Sequence, residues 1–255
     1  MIQNYVQQVS TFAADIDFVV MLIAVIVGAW FLLAEAVFLF LIMKYKKKPG
    51  VRALDVDGSD PLHHKFISVP HALVLVCDVV IIVFAVKVWY DVKQAMPPAD
   101  ETVRIVAQQW AWTFVHPGQD GKLDTADDVK TADELHVKEG LNYHFELVST
   151  DVLHSFSVPV FRLKQDAIPG RVIRGWFNAQ KTGTFDIQCA EICGIGHGVM
   201  GARIVIETPA EHQAWLRANG AASATAPLAT PLPFIGDIAA PAAAAALPAP
   251  APATK

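Results

Sequence analysis

The sequence predicts a hairpin of two membrane-crossing helices followed by a small all-β sandwich or barrel. Three observations predict it. Two apolar runs, residues 18–43 and 69–90, are each long enough to cross a hydrocarbon core, which takes about 20 helical residues. Beyond residue 100 the pattern changes to short alternating runs bounded by Gly, Pro and Asp. Across 255 residues, 53% hydrophobic content and a mean hydropathy of +0.37 exceed what an ordinary soluble domain carries.

Residues 1–17, MIQNYVQQVSTFAADID, contain no basic residue, which is unlike the n-region of a secretory signal peptide, so the first apolar run is expected to be retained. That run, 18–43, is apolar except for Glu35, and the second, 69–90, carries Asp78 and Lys87. Buried core helices would show similar composition, but the flanks argue for a membrane. Lys44, Lys46, Lys47, Lys48, Arg52 and Lys65 fall between or at the ends of the two runs, and none precedes residue 18. By the positive-inside rule, loop 44–68 is cytoplasmic, and both residues 1–17 and everything after residue 90 lie on the opposite side. An ionisable group near mid-membrane costs roughly 2.5–3.5 kcal/mol, so Glu35 and Asp78 are expected to face protein, which implies a membrane partner. Cys77 reads as a small apolar residue of the second helix.

The exported part, residues 91–220, has seven β-rich runs: 102–114, 134–138, 143–150, 152–160, 171–179, 184–189 and 202–207. They suggest a small antiparallel sandwich or barrel, closed by a short helix over 209–220. Residues 221–255 are mostly Ala and Pro, the composition of a disordered or polyproline-like tail. Asp and Glu outnumber Lys and Arg in 91–220, which suits solubility or a basic protein partner and gives no sign of nucleic-acid binding.

The stretch CAEICGIGHGVM, residues 189–200, concentrates two of the three cysteines with His197 and Met200. A disulfide would leave His197 and Met200 unexplained. Structural zinc favours Cys and His and rarely recruits a thioether, whereas thiolate, thioether and imidazole together are a soft set suited to copper. Mononuclear blue copper uses one cysteine and would leave the other without a role. Two thiolates can instead bridge two coppers, which calls for a second histidine, and His154 in DVLHSFSVP is the candidate; alone, a strand histidine is more often a core residue.

These residues, with LKQDAIPGR (163–171), closely resemble the CuA domain of subunit II of haem-copper cytochrome c oxidases. QWAWTF (109–114) resembles that family's aromatic segment, and the resemblance spans about residues 18–220. It implies a cupredoxin-like Greek-key fold carried by two N-terminal membrane helices. It also implies two copper ions bridged by Cys189 and Cys193, with His154 and Met200 on one, and His197 and the carbonyl of Glu191 on the other. The Glu191 side chain would reach a magnesium ion shared with subunit I, and Trp110 would take in electrons from cytochrome c, with Trp112 as packing. Partners would be subunit I, other oxidase subunits and a separate cytochrome c or equivalent donor; no Cys-x-x-Cys-His appears, so this chain would carry no haem. The location would be a bacterial inner membrane with the β-domain in the periplasm, or facing the intermembrane space in mitochondria.

Two departures stand out. The family commonly has a glutamate for proton uptake ahead of the proline of the second helix, where this chain reads PLHHKFISVP; His63 and His64 would have to relay protons instead, or are simply solvated. An insertion, residues 116–134, clusters Asp120, Asp124, Asp127 and Asp128 around a glycine turn. Its carboxylates resemble a loose calcium loop, but the spacing is not that of an EF-hand and favours a solvated acidic turn.

The expected function is electron acceptance in a terminal cytochrome c oxidase, with oxygen reduction and coupled proton translocation carried out by subunit I. A quinol oxidase subunit would lack the copper ligands, and nitrous oxide reductase is a much larger protein. The alternative from another class is a membrane-tethered copper carrier or assembly protein.

Overall fold

The computed structural model describes residues 5–52 and 59–223. Residues 224–255, almost all of the Ala/Pro-rich tail, lie outside the described residues, as do 53–58 of the basic loop and 1–4.

Helix α1 spans Ala13–Tyr45 and α2 spans Pro61–Trp89. Both are longer than the apolar runs, because hydropathy marks the hydrocarbon-compatible stretch and not the helix ends. The start of α2 is set locally: Asp60 accepts a hydrogen bond from the Leu62 amide at 2.8 Å, and Pro61 occupies the first helical position, where its missing N–H costs nothing. α2 runs on into a π-helical turn, Tyr90–Gln94. The helices touch through Phe18 and Phe84, ring centroids 5.3 Å apart, and through the Trp30 indole donating to Cys77 Sγ at 3.4 Å. Both are long and apolar enough to cross a membrane and expose nearly all of their apolar surface, so they are not core helices of the β-domain. Glu35 and Asp78 lie on that exposed surface.

The domain is a two-sheet sandwich of ten strands: β1 Glu101–Gln108, β2 Ala111–His116, β3 Val129–Ala132, β4 Glu134–Lys138, β5 Asn142–Ser149, β6 His154–Val158, β7 Leu163–Ala167, β8 Ile173–Asn178, β9 Gly183–Cys189 and β10 Gly201–Glu207. One sheet runs β3-β2-β1-β5-β8 and the other β4-β10-β9-β6-β7. β1 pairs with β5 and β4 with β10 in parallel, so the sandwich is not purely antiparallel as expected. The run 102–114 is two strands, folded back at Gln109-Trp110; β3 lies within the insertion, and β7 within LKQDA.

The core between the sheets is aromatic. Phe156 is fully buried, with Trp112, Phe114 and Phe145 at centroid distances of 5.7, 6.4 and 6.1 Å. Val9 and Phe12 also join this core, so residues before α1 complete a domain expected to begin at 91. Val9 exchanges backbone bonds with Val160 and Gln180 at 3.0 and 2.7 Å. The Arg162 guanidinium reaches both Asp17 oxygens at 2.7 and 2.8 Å, the carbonyls of Val6 and Gln7, and Pro159. The membrane hairpin is thereby fastened to the β-domain from both sides, by this segment and by the Trp176 indole donating to Val92 O at 2.9 Å.

Helix α3, Pro209–Ser223, opens with a capping box in which Thr208 and Glu211 satisfy each other's amides at 2.9 and 3.4 Å. It docks through Trp215, stacked on His136 at 4.1 Å, and through His212, which shares the Glu207 carboxylate with His136.

Candidate metal centre

The site lies at one end of the second sheet, where β6 begins, β9 ends and β10 begins. His154 opens β6, Cys189 closes β9, and the loop 190–200 returns to β10 at Gly201. The loop is pinned at its base by the Cys189 amide on Met200 O at 3.1 Å and the Ala190 amide on Ser155 O at 2.9 Å, and a 3-10 turn, His197–Val199, carries the histidine back toward the cysteines.

Cys189 and Cys193 are free thiols with sulfurs 3.7 Å apart, far beyond the roughly 2.05 Å of a disulfide. Around them lie His154 Nδ1, 4.0 Å from Cys189 Sγ; His197 Nδ1, 3.7 Å from Cys193 Sγ; Met200 Sδ, 3.7 Å from Cys193 Sγ; and Glu191 O, 3.3 Å from Cys189 Sγ. His154, Cys189, Cys193 and Met200 are buried, while His197 and Glu191 are half-buried. The six positions expected as copper ligands thus come together. Among the described residues, His154, Cys189 and Cys193 alone form a group of His, Cys or carboxylate donors within 4.8 Å of one another.

The donor set fits copper. Two thiols, two imidazoles and a thioether are soft and borderline ligands, and a structural zinc site would have no use for the thioether. Burial and the neighbouring Cys189 thiol push the Cys193 thiol up to about 11, so a metal that binds here must displace protons.

Asp151 and Gln109, which the sequence did not mark, hold this arrangement from outside. Asp151 Oδ1 meets His154 Nε2 at 2.8 Å, which leaves Nδ1 facing the sulfurs. Partial burial raises the Asp151 carboxyl, but His154 and the amides of Gln109 and Val152 outweigh it and hold it below the usual carboxylate range. The pairing of an imidazole with a carboxylate behind a metal ligand is a general device for fixing ring orientation. The only forward signal for Asp151 was its place three residues before His154.

Trp110 sits at the β1–β2 turn, 38% exposed, and its indole N–H donates to Cys193 O at 3.2 Å. Trp112 is fully buried against His154 and Phe156. His63 and His64 are in the first turn of α2, at the far end of the hairpin from the thiols. Asp120, Asp127 and Asp128 of the insertion gather around Thr125 Oγ1, at 3.5, 2.7 and 3.3 Å, but among the described residues the four aspartates do not form a group of carboxylate oxygens close enough together to hold an ion. Asp124 is held bidentate by Arg104 at 2.7 and 3.0 Å, Asp127 accepts from Thr125 and the Asp120 amide, and Asp128 accepts from the Asp124 amide.

Fold and site together define a membrane-anchored, cupredoxin-like domain with a cluster of sulfur and imidazole donors that could hold a metal. Residues 101–208 match the family model described as cytochrome c oxidase subunit II, periplasmic domain. The alternative cytochrome c oxidase subunit 2 of Bradyrhizobium diazoefficiens is 39% identical over 142 residues, 47% of this chain and 51% of that protein. Cytochrome c oxidase subunit 2 of Cereibacter sphaeroides is 28% identical over 224 residues, 76% of this chain and 72% of that one. The crystal structure of the periplasmic domain of cytochrome oxidase subunit II from Bradyrhizobium japonicum aligns over 50% of this chain and 98% of its own, with 28% identity and a TM-score of 0.45. The match to the Bradyrhizobium diazoefficiens protein spans about half of that relative's length. Residues 101–208 thus form a periplasmic domain of the cytochrome c oxidase subunit II family.

Proposed function

We propose that this chain accepts electrons from cytochrome c, or an equivalent donor, for a terminal oxidase whose subunit I reduces oxygen to water and translocates protons. The observation that carries the proposal is the pair of buried thiols 3.7 Å apart with one imidazole Nδ1 against each sulfur and a thioether beside them. Two copper ions would be held there by the thiols of Cys189 and Cys193, the imidazoles of His154 and His197, the Met200 thioether and the Glu191 carbonyl. Copper, when bound, supplies one-electron chemistry.

The chain's own residues provide the rest. The strands fix His154 and Cys189, so the donors need little rearrangement when charge changes. Burial of His154, Cys189, Cys193 and Met200 keeps water from the sulfurs. Trp110 is partly exposed to a donor and is joined through its indole N–H to the carbonyl of Cys193, a short covalent and hydrogen-bonded route inward. Glu191, half-buried, is assigned the magnesium shared with subunit I, and His63 and His64 the relay of protons at the cytoplasmic side. Both helices would cross a bacterial inner membrane, with the β-domain in the periplasm.

Substituting Trp110 by Leu in the membrane complex tests this reading. Electron input from reduced cytochrome c should slow at least tenfold with copper content unchanged; an unchanged rate contradicts the role of Trp110. Co-purification of the chain with a haem protein separates an oxidase subunit from a copper carrier.

A further inference from the structure

Gln109 has no part in the ligand set and no role implied by the family resemblance, yet it joins both arms of the centre. Its backbone N–H donates to Asp151 Oδ2 at 2.6 Å, and the other oxygen of that carboxylate holds His154 Nε2 at 2.8 Å. Its side-chain Nε2 donates to Cys193 O at 2.7 Å, shorter than the 3.2 Å reach of the neighbouring Trp110 indole to the same oxygen. One residue therefore touches the carboxylate behind a histidine of one strand and the backbone of a cysteine in the loop.

The loop is shaped to receive this turn. A Cβ at Gly194 would lie 2.8 Å from Gln109 Nε2, and one at Gly196 would lie 2.4 Å from the Trp110 ring. Gly194 also has φ +118°, a conformation that side-chain-bearing residues rarely adopt. Two glycines thus let the β1–β2 turn seat directly on the cysteine loop. Between the base of the loop and its 3-10 turn, Cys193 is in a segment with no ladder partner, so its carbonyl takes its fixed direction from Gln109 and Trp110.

We propose that Gln109 is a positioning residue of the metal centre: it holds Cys193 and, through Asp151, His154 in one frame, without itself touching metal. The inference rests on the copper reading above. Partners one step removed from a metal commonly change affinity by about 10–100-fold when altered, because they fix the direction of the ligand atoms. Gln109→Met keeps the length of the side chain and the backbone bond to Asp151 while removing the donor to Cys193. Gln109→Glu puts an acceptor against that carbonyl.

The test uses the full chain in detergent, loaded with copper, and reads copper retention against a chelator, the visible absorption and the paramagnetic resonance spectrum, with the thermal midpoint of the copper-free protein as the folding control. Both variants should lose copper at least about tenfold more readily than the unmodified chain and show altered hyperfine splittings, with the copper-free midpoint unchanged. Retention and spectra equal to those of the unmodified chain would overturn the positioning role while leaving the copper reading intact. An unmodified chain that takes up no copper pair would overturn the copper reading, and this inference with it.

Discussion

Replacing Arg162 by Met should detach the segment that fastens the membrane hairpin to the β-domain. Arg162 and Asp17 have side chains 11% and 6% exposed, and the guanidinium satisfies both Asp17 oxygens and three carbonyls. Methionine leaves Asp17 with the Gln8 amide, at 2.8 Å, as its remaining side-chain partner. Breaking a buried pair from one side costs about 3–5 kcal/mol, because the remaining charge stays uncompensated. The chain can limit that cost by releasing residues 5–12 to water, at the expense of losing the burial of Val9 and Phe12, each worth about 1.5–3 kcal/mol. The net loss is therefore about 3 kcal/mol, or roughly 10 °C in the melting temperature of a domain this size. Tryptophan fluorescence of the detergent-solubilised chain measures it, since Trp176 packs edge-on against Phe12 at 5.3 Å. Adding Asp17→Leu should recover part of the loss by removing the orphaned charge. A shift below 2 °C for Arg162→Met would refute the view that this network holds the segment.

His116 is expected to make the domain acid-sensitive. Its Nε2 accepts from the His136 amide at 3.0 Å, so Nδ1 carries the proton facing Val129 O at 3.2 Å, and burial pushes its pKa down to about 3. The unfolded chain takes the extra proton near 6.5, so stability falls as pH drops from 6.5 toward 3, by up to roughly 1.4 kcal/mol per pH unit. Urea titrations at pH 7 and pH 5 should show about 2 kcal/mol less of this loss in His116→Gln; the same pH dependence in both proteins would contradict it. Calcium should leave the melting temperature unchanged, because Arg104 already neutralises Asp124 and hydroxyl and amide donors take up Asp127 and Asp128. A rise of several degrees at millimolar calcium would restore the calcium loop.

Composition and spacing carried most of the architecture. Twenty-odd apolar residues with the basic charge gathered in the loop between the two runs mark a membrane hairpin, and CAEICGIGHGVM puts five of the six expected ligand positions within twelve residues, where no long-range folding is needed to bring them close. Alternation of side chains revealed strands but not their partners: the parallel pairings of β1 with β5 and β4 with β10 depend on which edges meet, which local pattern does not encode. The turn at Gln109-Trp110 was hidden because the residues on either side continue a strand-like pattern without a Gly or Pro between them. Val9 and Phe12 were equally hidden, since a short polar segment before a helix gives no sign that a domain after residue 91 needs it. Asp151 and Gln109 act through hydrogen bonds across 3 and 84 residues, and only the fold brings Gln109 to Cys193.

The central claim is that Cys189 and Cys193 bridge a pair of coppers sharing one electron. Electron paramagnetic resonance of the copper-loaded full chain tests it most directly: a seven-line hyperfine pattern, with two coppers per chain, is the predicted result. A four-line pattern from a single copper, or retention of zinc in place of copper, would contradict it.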